Sequence, residues 1–233
     1  HPLTHSFSEN YFNQKFAAEN INAEYRNFDI PEIDFLMEII AQYDNLNGLN
    51  VTLPYKELII PYLDSLDDDA KEIGAVNVVK FIHSKEGLKL KGYNSDVIGF
   101  TNSINSLLTE HHKSALVLGT GGAAKAVAYS LKKLGINVRF VSRKKTASTL
   151  IYEELTKNDI KESKIIVNAT PLGMYPKVDE CPDIPYRFIT PHHHCYDLIY
   201  NPQETLFLKK CKEKGATIKN GLEMLLLQAF ASY

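Results

Sequence analysis

The chain has 233 residues, enough for one large domain or two modest ones, each with its own core. Its 44% hydrophobic and 23% charged content is ordinary for a globular protein, and its net charge of −2 at pH 7 gives no basic field that would attract nucleic acid or a membrane surface. The 3 cysteines have no C-x-x-C spacing, which argues against a disulfide framework and a structural zinc site. These features predict a cytoplasmic α/β protein, with neither nucleic acid nor membrane as a partner.

The first half alternates helices and strands. In chain order, we predict a helix over residues 9–20, a strand over 23–28, a helix over 33–43, a strand over 49–53, a short helix over 55–62, hairpin strands over 76–82 and 88–93, and a helix over 96–108. The acidic run at residues 67–69 is typical of a helix start rather than a cation site. A domain boundary near residues 94–100 is expected to run through a helix and not a flexible linker.

The second half has a regular strand and helix alternation. We predict strands over residues 115–118, 136–141, 165–167, 196–200 and 216–218, with helices over 123–134 and 204–214 and a further helix in the polar segment after the second strand. This order indicates a doubly wound parallel sheet of the Rossmann type. The predicted fold class is therefore α/β, with an N-terminal α/β domain followed by a Rossmann domain.

A glycine-rich loop joins the first strand of that sheet to the next helix. Gly119, Gly121 and Ala124 match the dinucleotide fingerprint G-x-G-x-x-G/A, in which the glycines permit a tight turn and close approach of the pyrophosphate. The small third residue allows the helix to pack closely on the strand. The alternative is a glycine turn that serves only helix packing.

The end of the second strand distinguishes NAD from NADP. An NAD site usually has an acidic residue there, which accepts from the ribose 2′-hydroxyl. Here the sequence is Ser142, Arg143 and Lys144, followed by another lysine, and a guanidinium can bind a 2′-phosphate through two hydrogen bonds. These residues favour NADP, and a solvated basic turn is the alternative.

Polar residues in the first half cluster at the predicted element ends. Asn50 and Thr52 alternate along a predicted strand and can face one cleft, and Lys56 opens the next predicted helix. Each polar residue also has a simpler explanation: Ser8 and Asp96 as helix N-caps, Asn77 as a turn former and Lys56 as a surface lysine. A lysine, a carboxylate and several amides and hydroxyls beside a nicotinamide site nevertheless suit a polyhydroxylated acid that loses a proton and a hydride.

Eight short strings extend this pattern along the chain. They are Ser-Phe-Ser at 6–8, Asn-Val-Thr-Leu-Pro-Tyr-Lys at 50–56, Gly-Ala-Val-Asn at 74–77, Gly-Tyr-Asn-Ser-Asp-Val-Ile-Gly at 92–99, Gly-Thr-Gly-Gly-Ala at 119–123, Asn-Ala-Thr-Pro-Leu-Gly-Met at 168–174, Asp-Leu-Ile-Tyr-Asn-Pro at 197–202 and Gly-Leu-Glu-Met-Leu at 221–225. In this order they resemble the shikimate dehydrogenase family, which includes quinate/shikimate dehydrogenases. The resemblance runs from residue 1 to about residue 230.

The resemblance implies a role for each matching residue. Lys56 and Asp96 would be the catalytic pair, with Lys56 transferring the proton and Asp96 orienting or relaying it. Substrate binding is implied for Ser6, Ser8, Asn50, Thr52, Asn77, Tyr200 and Gln228. NADP binding is implied for Gly119, Gly121, Gly122, Ala123, Ala124, Ser142, Arg143, Lys144, Thr170, Met174, Gly221 and Met224. Residues 1–97 with helix 221–233 would form the substrate domain, and residues 98–220 the NADP domain.

The implied reaction is the NADP-dependent interconversion of shikimate and 3-dehydroshikimate in aromatic amino acid biosynthesis, by a monomer or homodimer. A quinate/shikimate dehydrogenase that uses NAD or NADP is the nearest alternative. A non-catalytic sensor of a pathway acid is the alternative from another class, and retention of both Lys56 and Asp96 argues against it. The family usually has a strand before the position of His1 and a helix beyond Gln228, so we expect the native chain to extend at both ends.

No metal site is predicted. Three consecutive imidazoles, His192 to His194, cannot all face one ion on a helix or strand, so these residues with Cys195 are expected to form a solvated loop.

Overall fold

The computed structural model describes residues 7–233. Two compact units are present: the described residues up to Asp67 with Val76–Tyr93, and Asp68–Ala75 with Asn94–Tyr233. Residues 94–97 and 221–233, which were predicted to belong to the substrate domain, thus lie in the second compact unit. The functional division into a substrate domain and an NADP domain stays a prediction.

The first unit contains a small mixed sheet. Its elements are α1 (Phe7–Ala18), a 3-10 turn (Ile33–Phe35), α2 (Leu36–Gln42), β1 (Gly48–Asn50), a 3-10 turn (Ile60–Tyr62), β2 (Ser65–Leu66), β3 (Val78–Ser84) and β4 (Gly87–Tyr93). The strand order is β1-β3-β4-β2, and β3 and β4 form the predicted hairpin. β1 lies antiparallel to β3, and the two-residue strand β2, which was not predicted, pairs parallel with β4.

Three local predictions in this unit were wrong. Residues 23–28 form no strand, because the backbone N–H and C=O of Tyr25 bond to the side chain of Asn13 rather than to a neighbouring strand. β1 ends at Asn50, so Thr52 does not share a strand with it. The short helix expected over residues 55–62 is a series of turns that ends in the 3-10 turn, and Lys56 lies among those turns.

The second unit is built on a parallel sheet. Its elements are α3 (Asp68–Ile73), α4 (Asp96–Asn105), β5 (Ser114–Leu118), α5 (Gly122–Lys133), β6 (Asn137–Ser142), β7 (Thr149–Ile151), α6 (Lys157–Glu162), β8 (Ile165–Asn168), β9 (His194–Asp197), α7 (Leu206–Lys212), β10 (Thr217–Lys219) and α8 (Leu222–Ser232), with 3-10 turns at Tyr152–Glu154 and Tyr186–Phe188. The strand order is β10-β9-β8-β5-β6-β7, and every pairing in it is parallel. This order confirms the doubly wound prediction, because β5 lies at the centre and the chain proceeds outward from it in both directions.

Both faces of the central strand are buried. Ala115 and Val117 of β5 belong to one apolar cluster, whereas Leu116 and Leu118 belong to another. Side chains that alternate along a strand point to opposite faces of the sheet. The continuous apolar run of β5 therefore follows from packing on both faces.

The connection from β6 to β7 is short. Only residues 143–148 separate the two strands, whereas a parallel pair usually needs a longer crossover. A short connection suffices because β7 pairs only with the last three residues of β6, Phe140–Ser142. β7 was not predicted, and the predicted helix of this polar segment is α6.

The histidine run was partly mispredicted. His194 and Cys195 lie in β9, which begins two residues before the predicted strand. His193 is 1% exposed, and its Nε2 lies 2.9 Å from the Ile160 carbonyl oxygen. The side chain of His193 is thus buried directly before an interior strand of the sheet, where a solvated loop was expected. Within residues 7–233, no three His, Cys, Asp or Glu side chains form a group that could hold a metal ion, and no helix has the length and apolar character needed to cross a membrane.

Candidate functional site

The glycine loop follows β5 directly. Gly119 has a φ of +110°, and a Cβ there would lie 3.0 Å from the Ala169 carbonyl oxygen and 3.2 Å from Cγ2 of Thr170. Its N–H donates to the Val141 carbonyl at 2.8 Å. Glycine is therefore required at position 119 both for the backbone conformation and for space.

Gly121 is the N-cap residue of α5, and it opens onto space. A Cβ on Gly121 would meet none of the described residues within 4 Å, so nothing in this part of the chain explains the glycine by packing. The first N–H groups of α5, including those of Gly122, Ala123 and Ala124, lie beside this opening. Ala124 itself is buried against the sheet. Free N–H groups at a helix start, next to an open glycine, suit a pyrophosphate.

The basic loop lies beside the glycine loop, because β5 and β6 are neighbours with Leu118 opposite Val141. Ser142 Oγ accepts from the Lys144 N–H at 3.2 Å, and Thr149 Oγ1 donates to the Lys144 carbonyl at 3.1 Å. Lys145 is paired with Glu154 at 2.5 Å, whereas Arg143 and Lys144 are exposed. The loop therefore presents cationic side chains with no acid at the strand end, as a 2′-phosphate requires and as an NAD ribose does not.

A third loop, residues 168–174, follows β8. Asn168 is fully buried and organises it: its Oδ1 accepts from the N–H and Oγ1 of Thr170, at 3.1 and 2.6 Å, and its Nδ2 donates to the Leu172 carbonyl at 3.3 Å. Ala169 N–H donates to the Leu118 carbonyl at 2.9 Å, which brings this loop against the glycine loop. Met174, beyond it, is half exposed. Three loops thus meet at the carboxyl ends of β5, β6 and β8, where ligands of doubly wound sheets bind.

Asp197 ends β9 next to Asn168 and is fully buried. Its carboxylate accepts from Asn168 Nδ2 at 3.0 Å, from the Ile199 N–H at 3.1 Å and from Thr205 Oγ1 at 2.6 Å. Burial raises the pKa of Asp197 to about 6, and these hydrogen bonds oppose the rise. Tyr200, three residues on, is exposed.

The residues predicted near α8 differ in their surroundings. Gly221 has no room for a side chain, because a Cβ would lie 1.9 Å from the Leu198 carbonyl oxygen. Met224 is buried in the apolar cluster that contains Phe100. Gln228 Oε1 accepts from Ser95 Oγ at 3.4 Å. Packing therefore accounts for Gly221 and Met224, and their contacts with NADP stay a prediction.

In the first unit, Tyr25 connects two predicted substrate ligands. The side chains of Ser8 on α1 and Asn50 on β1 interact with its hydroxyl and act to lower its pKa, but burial outweighs them and raises that pKa overall. Its ring stacks on Phe12 with centroids 5.0 Å apart, and the Asn13 side chain holds its backbone with bonds of 2.7 and 3.0 Å. Ser6 lies outside the described residues.

Backbone hydrogen bonds hold two more predicted residues, Asn77 and Lys56, near the end of β1. Val51 N–H donates to the carbonyl of Asn77 at 2.8 Å, and Val76 N–H donates to that of Lys56 at 2.7 Å. Asn77 is buried and Lys56 is half-buried, whereas Thr52 is exposed in the turn after β1. The first unit thus gathers Ser8, Asn50, Lys56 and Asn77 around the end of β1.

Asp96 belongs to the second unit and begins α4. It is buried, its N–H donates to Asn94 Oδ1 at 3.1 Å, and Asn94 Nδ2 donates to the Ala75 carbonyl at 2.8 Å. A carboxylate in the first turn of a helix is stabilised by the helix dipole. Since Lys56 and Asp96 lie in different units, their action as a pair stays a prediction.

Sequence reasoning gave no role to Tyr25 or to Asp197. Tyr25 was assigned to a strand, and its contacts depend on residues 12 and more positions away in the chain. Asp197 lies in a recognised motif, and the register of β8 and β9 could have placed it beside Asn168.

Known proteins resemble this chain over its whole length. A family model described as the shikimate dehydrogenase substrate binding domain matches residues 1–79. The shikimate dehydrogenase (NADP(+)) of Methanosphaera stadtmanae is 38% identical, over 100% of this chain and 87% of the relative.

Solved structures give the same result. Shikimate 5-dehydrogenase from Thermus thermophilus, in complex with NADP(H) and shikimate, superposes with a TM-score of 0.85 at 29% identity, covering 100% of this chain and 88% of that one. Quinate dehydrogenase from Corynebacterium glutamicum, in complex with NAD, gives a TM-score of 0.83 at 25% identity, covering 99% and 88%. The resemblance predicted from the eight strings is confirmed, and the chain belongs to the shikimate dehydrogenase family.

Proposed function

We propose that the chain catalyses the reversible, NADP-dependent interconversion of shikimate and 3-dehydroshikimate, a step of aromatic amino acid biosynthesis. The observation that carries the proposal is the basic loop at the end of β6, which lies against the glycine loop and bears Arg143 and Lys144 where an NAD site has an acid. The relatives named as NADP-dependent shikimate dehydrogenases support it over the full chain.

The residues present fit NADP. The N–H groups after Gly121 would bind the pyrophosphate, Arg143 and Lys144 the 2′-phosphate, and the loop containing Thr170 and Met174 would lie at the nicotinamide end. Bound NADP supplies the hydride acceptor, or in the reverse direction NADPH the donor.

The chain's own residues would bind and deprotonate the substrate. Ser6, Ser8 and Tyr200 would bind its carboxylate, while Asn50, Thr52, Asn77 and Gln228 would hold its ring hydroxyls. Lys56 would accept the proton of the hydroxyl that becomes a ketone, and Asp96 would orient Lys56 or relay that proton. The free cysteines support a reducing compartment, so we place the enzyme in the cytoplasm, as a monomer or homodimer.

Turnover measured with shikimate and with quinate, each with NADP and with NAD, tests the proposal. We expect shikimate with NADP to give the highest kcat/KM. A higher kcat/KM for quinate with NAD would assign the quinate alternative, which the Corynebacterium glutamicum relative makes the closest competitor. Tight shikimate binding without turnover in any combination would assign the sensor alternative.

A further inference from the structure

Asp197 is a buried carboxylate to which the proposed reaction gives no part. All three of its hydrogen-bond donors are neutral groups: the Asn168 amide, the Ile199 N–H and the Thr205 hydroxyl. A buried carboxylate held by neutral donors costs stability relative to an uncharged core, so a purely structural role does not require a charge at this position.

The hydrogen bonds lead from Asp197 to the predicted nicotinamide loop in two steps. Asn168 Nδ2 donates to Asp197 Oδ1, which fixes the orientation of the Asn168 amide. Its Oδ1 then points to the N–H and hydroxyl of Thr170, and its Nδ2 also reaches the Leu172 carbonyl. With Asp197 absent, the Asn168 Nδ2 keeps only the Leu172 carbonyl as an acceptor, at 3.3 Å, so the orientation of the amide and its hold on Thr170 are weakened.

The same carboxylate also holds the next loop. The Ile199 N–H donates to Asp197 Oδ1, and the Thr205 hydroxyl that caps α7 donates to Oδ2. The Tyr175 N–H donates to the Asn201 carbonyl at 3.3 Å, so the loops after β8 and β9 are tied to each other beyond Asp197 as well. One carboxylate therefore connects two loops that begin at neighbouring strands.

We propose that Asp197 is a positioning residue that fixes the Asn168 amide, and through it the 168–174 loop, in the conformation that binds the nicotinamide half of NADP. This inference rests on the proposed function. The adenosine half would bind elsewhere, at the glycine loop and the basic loop, where Asp197 makes no contact within the described chain.

Comparing the binding of two ligands distinguishes a positioning role of Asp197 from a general loss of structure in the variant. We measure the Kd of NADPH by its fluorescence and the Kd of adenosine 2′,5′-bisphosphate, which lacks nicotinamide, by calorimetry. For Asp197→Ala we expect NADPH to bind at least about tenfold more weakly, as expected for loss of a hydrogen bond to a charged group, with the Kd of the bisphosphate within about twofold of the wild type.

Two further variants supply the matched controls. Asp197→Asn keeps an acceptor for the Asn168 amide, so we expect it to restore most of the NADPH affinity. Thr205→Val removes the bond to Oδ2 and the cap of α7 while leaving the Asn168 contact, so we expect a lower Tm with an unchanged Kd for NADPH. If Asp197→Ala does not fold, Asp197→Val, which fills more of the space and has no hydrogen-bond acceptor, replaces it.

Equal weakening of both ligands in Asp197→Ala, or no weakening of either, overturns the inference. So does an NADPH Kd that follows Tm across the variants, Thr205→Val included. Failure of the proposed function is a different result, since the wild-type chain would then bind neither NADPH nor the bisphosphate.

Discussion

Lys56 is the residue on which the proposed chemistry depends most. It is half-buried among turns of the first unit, and its carbonyl accepts from the Val76 N–H. A side chain that transfers a proton in the transition state affects turnover more than ground-state binding. We expect Lys56→Ala to lower kcat by about 100-fold or more, with a smaller change in shikimate affinity.

Steady-state kinetics and calorimetric titration with shikimate measure the two effects separately. Lys80→Ala, an exposed lysine of β3 in the same unit, is the matched control and should retain wild-type kcat. Near-normal turnover in Lys56→Ala would remove Lys56 from the chemistry.

Tyr25 should act on substrate binding through Ser8 and Asn50. The Tyr25→Phe substitution removes the hydroxyl that interacts with both side chains and keeps the stacking on Phe12. We expect KM for shikimate to rise about tenfold, because two predicted substrate ligands lose the polar neighbour that orients them, with kcat within about threefold.

Tyr62→Phe is the control, since it removes a hydroxyl bonded to Asp34 at an exposed place in the same unit. Equal KM values for the Tyr25 and Tyr62 variants would leave Tyr25 with a packing role alone.

At the scale of the elements, the glycine loop and the α8 turn need glycine for different reasons. Gly121 has φ −75° and open space around it, whereas a Cβ on Gly221 would lie 1.9 Å from a backbone oxygen. We expect Gly121→Ala to keep Tm within about 2 °C and to weaken NADPH binding about tenfold or more, because the methyl group occupies the predicted pyrophosphate space. Gly221→Ala should instead lower the free energy of unfolding by about 3 kcal/mol.

Thermal unfolding and NADPH fluorescence titration measure both variants. Unchanged NADPH affinity in a folded Gly121→Ala protein would contradict the assignment of this loop to the pyrophosphate.

The elements also differ in how well sequence alone predicts them. β5, α5 and the β3–β4 hairpin follow from apolar runs, periodicity and turn residues, which are local signals. The two-residue β2, the three-residue β7 and the irregular segment around Tyr25 depend on contacts with distant residues, such as the Asn13 amide. Short segments have little intrinsic preference, so tertiary contacts decide their structure.

For the candidate site, too, sequence alone predicts one part, the motif residues, and not the other, the contacts between them. Motif positions such as Gly119, Asn168 and Asp96 could be named from the sequence. The links between them could not, because Tyr25 meets Asn50, and Thr205 bonds to Asp197, only once the chain has folded.

At the scale of the whole molecule, buried histidines give the stability a pH dependence. Burial is the main cause that lowers the pKa of His112, His193 and His194 below 6.5. The rings of His112 and His194 lie 4.4 Å apart. As pH falls through about 6.5, the unfolded chain binds protons at these sites before the folded chain does, so the free energy of unfolding falls. Protonation of Asp197 has the opposite effect on the free energy of unfolding. Its pKa of about 6 exceeds the ordinary 3.8, so the folded chain binds that proton first as pH falls.

We expect His194→Phe to reduce the loss of stability between about pH 7 and pH 5.5, because it removes one of the three histidines whose protonation is disfavoured in the folded chain. Chemical denaturation at several pH values measures the slope. His83→Gln, at an exposed position, should retain the wild-type slope. A His194→Phe slope equal to that of the wild type would show that this ring does not contribute.

The short connection between β6 and β7 has a consequence for how coenzyme preference can change. The residues proposed to distinguish NADP from NAD, Arg143 and Lys144, lie in a six-residue stretch whose two ends are anchored in one sheet and whose side chains face solvent. Because residues 143–148 contain no helix that packs on the sheet, altering them does not require the sheet to repack. On the proposed assignment, residues 143–148 alone would decide between NADP and NAD, and replacing this one stretch would change the coenzyme preference while the core of the sheet stays the same.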